Sequence, residues 1–467
     1  MTAQRTVRSD CYGLPLTTSS HEALDWYNRG VRGLLGFRQD APECFLKALA
    51  LDPALKMAQS HLGMCYFMEE SAPMIAKAQE CFQQSCVGLD TVTDRERDVL
   101  ETVLMWAQGK GREAMERMLT AITARPGEVS LLQRMYFIYF MQGSADKMRD
   151  LIASVLPHFG ETDSYILGMY SFALEETREF ARAFEMGNKA RALNPDDIWT
   201  LHALTHAYYE TGAFGPGTQL LIEALPHCDG IASFRTHIVW HLAVLLWEQG
   251  QFQQALGLYR DRFPNPTTLD PPNFVDAVAL LWRLNLSGQA TAEEWAALTP
   301  ALEQLRVLPT YLFNQMHVAL GLAGAQQLDW AQTYLDGLRA RVRPERPGVL
   351  GEVGVPLAEG LLAYAKGEYA RTVDCILPIK ERILNVGGSH AQRAIFTDVL
   401  IDACLRSGAY DAAVELLEAK RQFCPDRPLA LLGLAQAYAG KGDAAHAAEV
   451  GGLARKLWGT MGAERTA

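Results

Sequence analysis

Residues 243–259 read AVLLWEQGQFQQALGLY, and this stretch decides the fold. Apolar residues recur at helical spacing on both sides of Gly250, which predicts two helices joined by a tight turn. Phe252 and Ala255 open the second helix, and the small alanine lets the two helices approach closely. Each helix has an apolar stripe that the pair cannot bury alone, so further pairs must stack against it.

The same design recurs along the chain. Residues 180–195, FARAFEMGNKARALNP, have small residues at the helix crossing and a closing Leu-x-Pro, and residues 42–53, PECFLKALALDP, are built alike. Further copies lie at residues 363–377, 404–420 and 434–450. This is the pattern of the tetratricopeptide repeat, a helix pair of about 34 residues.

The repeats are degenerate, because the turn glycines Gly212, Gly250 and Gly288 are 38 residues apart. The sequence therefore predicts an all-α, tetratricopeptide-like helical-hairpin solenoid, a right-handed superhelix of roughly ten to twelve helix pairs. We expect that such irregular spacing makes the superhelix curve unevenly or close on itself.

The predicted solenoid is a single continuous unit over residues 1–467. An extended segment, residues 1–20, precedes the first helix, where Ser19 or Ser20 followed by Glu22 is a helix-capping signal. Two proline-rich stretches predict long loops between helix pairs, near residues 263–274 and 341–356. Helix pairs resume after both stretches, so neither is expected to separate domains.

Composition restricts the partners and the compartment. The net charge of -11 and the lack of a Lys/Arg stripe argue against nucleic acid. No apolar run approaches the roughly 18 residues of a membrane span, and the N-terminus lacks the apolar core of a signal peptide. The 9 scattered cysteines are typical of a reduced, cytoplasmic protein.

Several segments also resemble a known family, the tetratricopeptide repeat protein 38 family. The segments that carry the resemblance are DCYGLPLTTSS (10–20), SYILGMYSFALEET (164–177), NPDDIWTLHALTHAYYE (194–210), VDAVALLWRLNLSG (275–288) and LPIKERILNVGGSHAQRAIF (377–396). They occur in collinear order along nearly the whole chain. The resemblance implies a right-handed solenoid of helix pairs and supplies no catalytic residues.

Two histidine pairs are the sharpest candidates for chemistry. His202 and His206 are spaced i, i+4 on a predicted first helix, whose inner face lines the concave groove. His237 and His241 repeat the spacing on the next first helix, which would lie about 8–10 Å away. The second pair is one residue out of register with the first, so an orientation toward the helix interface is the alternative.

An i, i+4 histidine pair can hold a divalent transition-metal ion, and two pairs could form a four-histidine site. His317, on a later first helix, is a fifth candidate ligand, and Glu210, Glu248 or Asp276 could complete the site. The competing interpretation is that these histidines are hydrogen-bonding core residues or contacts to a peptide in the groove.

Other polar and aromatic residues are candidates for ligand binding in the groove. Trp199 and Tyr209 share the face of the first histidine pair and could form the wall of a pocket. In the GGSHAQR segment, Ser389 is a predicted helix cap beside Arg393, which could bind a carboxylate or a phosphate. Asp398 and Asp402 follow at i, i+4 and could bind a metal or a basic ligand, or be solvated acids.

Two functions follow from these residues. The first is a binding scaffold whose concave groove captures a peptide, a protein or a small polar ligand, with exposed ends through which copies could associate. The alternative is a metal-binding protein or metalloenzyme that uses the two histidine pairs. The sequence contains no Walker loop, GxSxG elbow or HExxH motif, so whether the protein is an enzyme is left open.

Overall fold

A computed structural model of the protein describes residues 6–228, 234–263, 269–307 and 311–462. In these residues 24 α-helices follow one another as twelve consecutive pairs. The first helices of the pairs are α1 (His21–Leu35), α3 (Lys56–Phe67), α5 (Asp94–Ala107), α7 (Val129–Met141), α9 (Ser164–Glu176), α11 (Ile198–Glu210), α13 (Phe234–Glu248), α15 (Pro271–Leu286), α17 (Leu312–Gly324), α19 (Val355–Ala365), α21 (His390–Ser407) and α23 (Pro428–Gly440). The second helices are α2 (Ala41–Leu51), α4 (Ala72–Ser85), α6 (Gly111–Ala124), α8 (Ala145–Phe159), α10 (Phe180–Leu193), α12 (Phe214–Ala224), α14 (Phe252–Arg262), α16 (Ala292–Leu305), α18 (Leu328–Ala340), α20 (Tyr369–Ile376), α22 (Tyr410–Arg421) and α24 (Ala444–Met461). The predicted all-α helical-hairpin solenoid is confirmed.

The turn inside each of these twelve pairs contains a residue with a positive φ angle, between 53° and 81°. Glycine occupies eight of the turns, including the three turns from which the repeat was recognised. The other four are occupied by Phe37, Glu70, Arg178 and Gln326. A non-glycine residue in this left-handed conformation costs about 1–2 kcal/mol, so these four side chains are held there by their surroundings.

First and second helices differ in burial, and the difference identifies the inside of the solenoid. In α9 every residue except Tyr165 is buried, whereas α10 buries only Ala183, Met186, Gly187 and Ala190. A helix that is buried on all sides lies in the interior, and one with a narrow buried stripe lies on the surface. The first helices therefore form an inner layer and the second helices an outer layer.

The inner layer closes on itself, because residues far apart in the sequence meet across the interior. Asn314 Nδ2 donates to Glu70 Oε2 at 2.9 Å over a separation of 244 residues. Arg427 Nη1 donates to Glu248 Oε1 at 2.6 Å, with both side chains almost fully buried. Of the two expected outcomes, uneven curvature or closure, the structure has closure, and a cavity takes the place of a long open groove.

The segment before α1 is a small antiparallel hairpin of β1 (Thr6–Ser9) and β2 (Pro15–Thr18). Thr17 Oγ1 donates to Glu96 Oε2 at 2.6 Å, which fixes the hairpin against α5. Ser20 is the N-cap of α1, and its side chain accepts a hydrogen bond from Ala23 N. The extended segment thus has strand structure, and β2 packs against α1 and α5, two helices of the inner layer.

Both predicted loops are shorter than the sequence suggested. In the stretch 263–274, residues 264–268 lie outside the described part, and α15 already begins at Pro271. In the stretch 341–356, a π-helical turn over Leu350–Gly354 leads directly into α19. Proline is tolerated in the first turn of a helix, because the N–H groups there have no intrahelical partner. Part of each proline-rich stretch is therefore the start of a helix and not a loop.

No helix within the described residues has the length and apolar character needed to cross a membrane.

A candidate metal centre beside an aromatic cavity

Helix α11 brings the first histidine pair into the interior. Its N-terminus is capped by Asp197, whose carboxylate accepts hydrogen bonds from Trp199 N at 3.1 Å and Thr200 Oγ1 at 2.7 Å. This cap fixes the start of the helix. His202 and His206 are consequently held on one face, and both are buried.

Helix α13 brings the second pair to the same point. His202 Nε2 lies 3.1 Å from His237 Nε2 and 3.0 Å from His206 Nε2. His237 Nε2 lies 3.1 Å from His241 Nε2. The two pairs therefore converge, and the alternative of a second pair directed away into a helix interface does not hold.

Hydrogen bonding between the rings does not account for this cluster. A neutral imidazole nitrogen carries either one proton or one lone pair, and so serves one linear hydrogen bond. His202 Nε2 and His237 Nε2 each contact two other ring nitrogens. Bonds of about 2.0–2.1 Å to one ion would place tetrahedral ligand nitrogens about 3.3–3.4 Å apart. The observed 3.0–3.1 Å separations are close to that value.

Two carboxylates stand behind the imidazoles. His237 Nδ1 lies 2.9 Å from Asp276 Oδ2 on α15 and 3.1 Å from Asp276 Oδ1. On the opposite side, His206 Nδ1 lies 3.7 Å from Glu175 Oε2 on α9. The contact of Asp276 with His237 is of the kind that orients a metal-ligating ring and selects the tautomer with a free Nε2, whereas Glu175 is too far from His206 for a hydrogen bond.

The electrostatics of the cluster favour a bound cation. Burial lowers the pKa of His202, His206 and His241, so these rings are neutral and keep their lone pairs. Both carboxylate oxygens of Glu175 are buried without a hydrogen-bond partner. Burial, together with the neighbouring Glu176, raises the pKa of Glu175 well above its usual value. A nearby divalent ion would supply the positive charge that this carboxylate lacks.

The other candidate ligands lie apart from the cluster. His317 is fully buried on α17, where its Nδ1 contacts Phe313 O at 2.9 Å and its ring packs against Phe396. Helix α15 lies between α13 and α17 in the inner layer, and His317 is not among the histidines whose ring nitrogens lie within 4.8 Å of one another. The structure therefore does not bring His317 to the four-histidine group.

Of the three acids that could complete the site, only Asp276 contacts a histidine of the cluster. Glu210 Oε2 lies 3.5 Å from Arg178 Nη1. Glu248 forms the buried ion pair with Arg427. These two carboxylates already have cationic partners, so they are not positioned as metal ligands.

The residues predicted around GGSHAQR have partners within the chain. Ser389 caps α21 as predicted, and the carboxylate bound at that helix start is the protein's own Glu176, which accepts from His390 N at 2.8 Å. Arg393 Nη2 lies 3.4 Å from Glu176 Oε2. In the same helix, Asp398 pairs with Lys420, and Asp402 accepts from Arg406 and Tyr364.

Trp199 and Tyr209 face different cavities. Trp199 packs on His202 at a ring-centroid distance of 4.8 Å and lines a cavity of about 530 Å³. Tyr209 lies under the Arg427 guanidinium and, with Arg393, lines a separate polar cavity of about 370 Å³. The predicted pocket wall thus has Trp199 but lacks Tyr209.

The cavity of about 530 Å³ touches the histidine cluster, because His202, His237 and Asp276 are part of its lining. Most of the remaining lining is apolar, and its aromatic members include Phe37, Phe67, Trp106, Phe137, Phe234 and Phe313. Phe37 stacks on Phe234 at 4.8 Å and on Trp199 at 5.3 Å. An ion held by the imidazoles would therefore lie at the wall of this apolar cavity.

Sequence reasoning did not find Glu175, Phe37, Glu70 or Arg134, all of which lie at the cluster or the cavity. Arg134 had a detectable signal, since it is the single charged residue of the apolar segment SLLQRMYFIYFM at 130–141. The other three lie at the site only because the superhelix closes or because the preceding repeat packs beside it. No local sequence pattern predicts either arrangement.

No protein-family model matches this chain. Among solved structures, the chain is similar to the human IFIT1 dimer with m7Gppp-AAAA and with PPP-AAAA, each at 14% identity and a TM-score of 0.42, over 95% of this chain and 96% of the other. A monomeric IFIT1 mutant with Gppp-AAAA gives 13% identity and a TM-score of 0.40, over 94% of this chain and 96% of the other. This likeness is distant, and no property of IFIT1 is carried to the present chain.

Proposed function

We propose that this protein binds one divalent transition-metal ion between His202, His206, His237 and His241, and that the ion forms one wall of a small-molecule cavity. The observation that carries the proposal is the convergence of four histidine ring nitrogens from two neighbouring inner helices, all within 4.8 Å of one another. Imidazole suits Zn²⁺, Cu²⁺, Ni²⁺ and Fe²⁺, and Zn²⁺ readily accepts four nitrogen ligands.

Charge balance supports the proposal. Four neutral imidazoles contribute no charge, so a dication would be balanced by Asp276 behind His237 and Glu175 near His206. Without a cation, three buried rings and the partly buried His237 meet nitrogen to nitrogen, and His202 Nε2 and His237 Nε2 each face more ring nitrogens than one hydrogen bond can serve. Unpaired buried polar atoms of this kind are costly, and metal binding offsets that cost.

The ion would have both a structural and a binding role. It would join α11 to α13 at the centre of the inner layer. A site closed by four protein ligands is typical of a structural metal, but His202 and His237 also line the cavity. A ligand in the cavity would therefore lie beside the ion. The ligand of the proposed scaffold is then a small molecule and not a peptide.

Metal content of the purified protein tests this proposal. We expect about one equivalent of metal per chain, measured by elemental analysis after reconstitution with Zn²⁺ and dialysis, and its loss in the double variant His206→Ala/His241→Ala. Reconstitution with Co²⁺ should give the visible absorption of an ion in a low-symmetry nitrogen site. Wild-type protein that holds no metal after reconstitution would overturn the proposal.

His317→Ala is the matched control. His317 is likewise a fully buried histidine on an inner helix, but it contacts a backbone carbonyl of its own helix and not the cluster. Its replacement creates a similar internal void and should leave one equivalent of metal bound. Equal metal loss in both variants would show that general loosening of the core, and not ligation, is responsible.

The broader assignment rests on the sequence. We propose that residues 1–467 form one solenoid unit of the tetratricopeptide repeat protein 38 family, located in the cytoplasm. The net charge of -11 supports a protein without a nucleic-acid partner. Association of copies through the ends of the solenoid is part of the proposal, and light scattering tests it.

A further inference from the structure

Among the described residues, one cation of the cavity lining forms no salt bridge. Arg134, on α7, is 8% exposed and lines the cavity. Within the described residues it forms no salt bridge, and its Nε is buried without a hydrogen-bond partner. Arginines buried to this degree are normally paired, as Arg95 is with Glu128 and Arg427 with Glu248.

The surroundings of Arg134 cover the faces of its guanidinium, and the carboxyl group of Glu70 acts on it without forming a salt bridge. Its Cζ lies 4.8 Å from the ring centroid of Trp106 and 5.7 Å from that of Phe67. Aromatic rings stabilise the flat face of a guanidinium, whereas its N–H groups point outward in the plane. Burial lowers the pKa of Arg134, which reflects the cost of this unpaired charge.

Two turn residues on the cavity wall add a second line of argument. Phe37 and Glu70 have φ angles of 54° and 53° at positions where most repeats have glycine, and both line the cavity. The left-handed conformation costs about 1–2 kcal/mol for such residues, and strain of this kind is concentrated at binding sites. Phe37 adds aromatic surface beside His202, and Glu70 adds a polar group near the arginine.

We propose that the cavity binds a small carboxylic acid with an apolar or aromatic body, whose carboxylate pairs with Arg134 and whose body lies along the aromatic wall toward the histidine cluster. The inference rests on the proposed function and deepens it by naming the class of ligand that lies beside the metal. A carboxylate accepts two parallel N–H bonds from one guanidinium, which matches the edge that the aromatic rings leave free.

The size and charge of the cavity select this class. A volume of about 530 Å³ is within the range of small-molecule sites and is too small for a folded peptide. The cavity has a single unpaired guanidinium, and its lining also contains the acidic residues Glu70 and Asp276. A monoanion suits this balance better than a phosphate dianion, because the second negative charge would have no partner.

Matched pairs of small molecules test the proposal. We would measure binding of decanoate and 4-phenylbutanoate, each beside its neutral amide, to the zinc-reconstituted protein by calorimetry and by the shift in thermal midpoint. One charge-assisted, buried interaction predicts that an acid binds about ten- to a hundredfold more tightly than its amide. Binding of none of these acids, or equal affinity of acid and amide, would overturn the proposal. Tighter binding of decyl phosphate than of decanoate would overturn the choice of a carboxylate.

Arg134→Met is the diagnostic variant. Methionine keeps the contact with Trp106 and removes an unpaired buried charge, so the variant should fold at least as well as the wild-type protein. Its preference for acid over amide should fall to about onefold. Arg306→Met is the control, since Arg306 stacks on Trp330 at 4.7 Å but does not line the cavity, and it should keep the preference. An undiminished preference in Arg134→Met would overturn the role of Arg134.

Metal analysis of the same samples separates the two proposals. Metal bound at one equivalent without selective acid binding would contradict the ligand assignment alone. Selective acid binding that depends on Arg134 in a protein that never holds metal would contradict the metal assignment alone, and the ligand class would stand.

Discussion

Asp276 Oδ2 on α15 lies 2.9 Å from His237 Nδ1 on α13, so a carboxylate from one repeat fixes the ring of a histidine from the repeat before it. The same imidazole presents its Nε2 to His202 and His241 at 3.1 Å. Three successive inner helices, α11, α13 and α15, are thereby joined through polar atoms in an otherwise apolar core.

Asp276→Asn should weaken metal binding without removing the site. An amide is neutral and orients the ring less firmly, and loss of such a supporting group typically costs about ten- to a hundredfold in metal affinity. Competition with a chelator, followed by elemental analysis, measures the change. Unaltered affinity in this variant would mean that the carboxylate does not support the metal site.

Glu175→Gln should lower metal affinity and stabilise the metal-free protein. Glu175 is fully buried with no hydrogen-bond partner for either oxygen. Without a cation, this side chain lowers the free energy of unfolding, and a neutral amide lowers it less. We expect the thermal midpoint of the apo variant to exceed that of apo wild type, and zinc to raise the midpoint less in the variant. A larger zinc-induced shift in the variant would contradict this electrostatic role.

Gly408→Ala should destabilise the fold by about 1–2 kcal/mol through backbone conformation alone. Gly408 has a φ angle of 81°, and an added Cβ would meet no atom within 4 Å. The matched control is Gly257→Ala in the interior of α14, where the space is equally open, and there alanine should stabilise by about 1 kcal/mol. Urea denaturation of both variants measures the two effects. Changes of the same sign would show that the turn does not require the left-handed conformation.

Glu70→Gln should alter how stability depends on pH. Burial raises the pKa of Glu70 from 4.5 to about 7, so the folded protein holds this proton more tightly than the unfolded chain. The resulting stabilisation is present below pH 4.5 and is lost as the pH rises through 7. The free energy of unfolding of the variant, relative to wild type, should therefore increase by about 3 kcal/mol between pH 4.5 and pH 9.

Urea denaturation across this pH range, with the exposed Glu113→Gln as control, measures the difference. A constant offset between Glu70→Gln and wild type at all pH values would contradict the raised pKa.

The sequence was sufficient for features that depend on one repeat or on two adjacent ones. The turn glycine Gly250 fixes the repeat register, and the register places the two histidine pairs on consecutive first helices. It left open whether His237 and His241 face the first pair or a helix interface. His317 obeys the same pattern but belongs to a repeat two positions further on. Spacing along a helix predicts a shared face, but it does not predict which repeats are within reach of each other.

The remaining features depend on contacts that no local pattern encodes. Arg134 and Glu70 come to one cavity wall because the superhelix closes, and Asn314 joins Glu70 over 244 residues. Such closure is a property of the summed small rotations between repeats. For the same reason, the sequence left uneven curvature and closure both open, and the predicted concave groove is a cavity in the structure.

Closure also changes how the protein should fold and tolerate truncation. In a linear repeat array, each unit contacts only its neighbours, so end repeats can be removed with a local loss of stability. Here Arg427 donates to Tyr209 O, and Trp458 Nε1 donates to Glu248 O at 3.0 Å, so the last repeats hold the helices that carry the histidines. Contacts over such long sequence separations slow folding and make it more cooperative. A chain shortened at its C-terminus would therefore lose the contacts that hold α11 and α13 in place. Its loss of stability would extend far beyond the repeats that were removed.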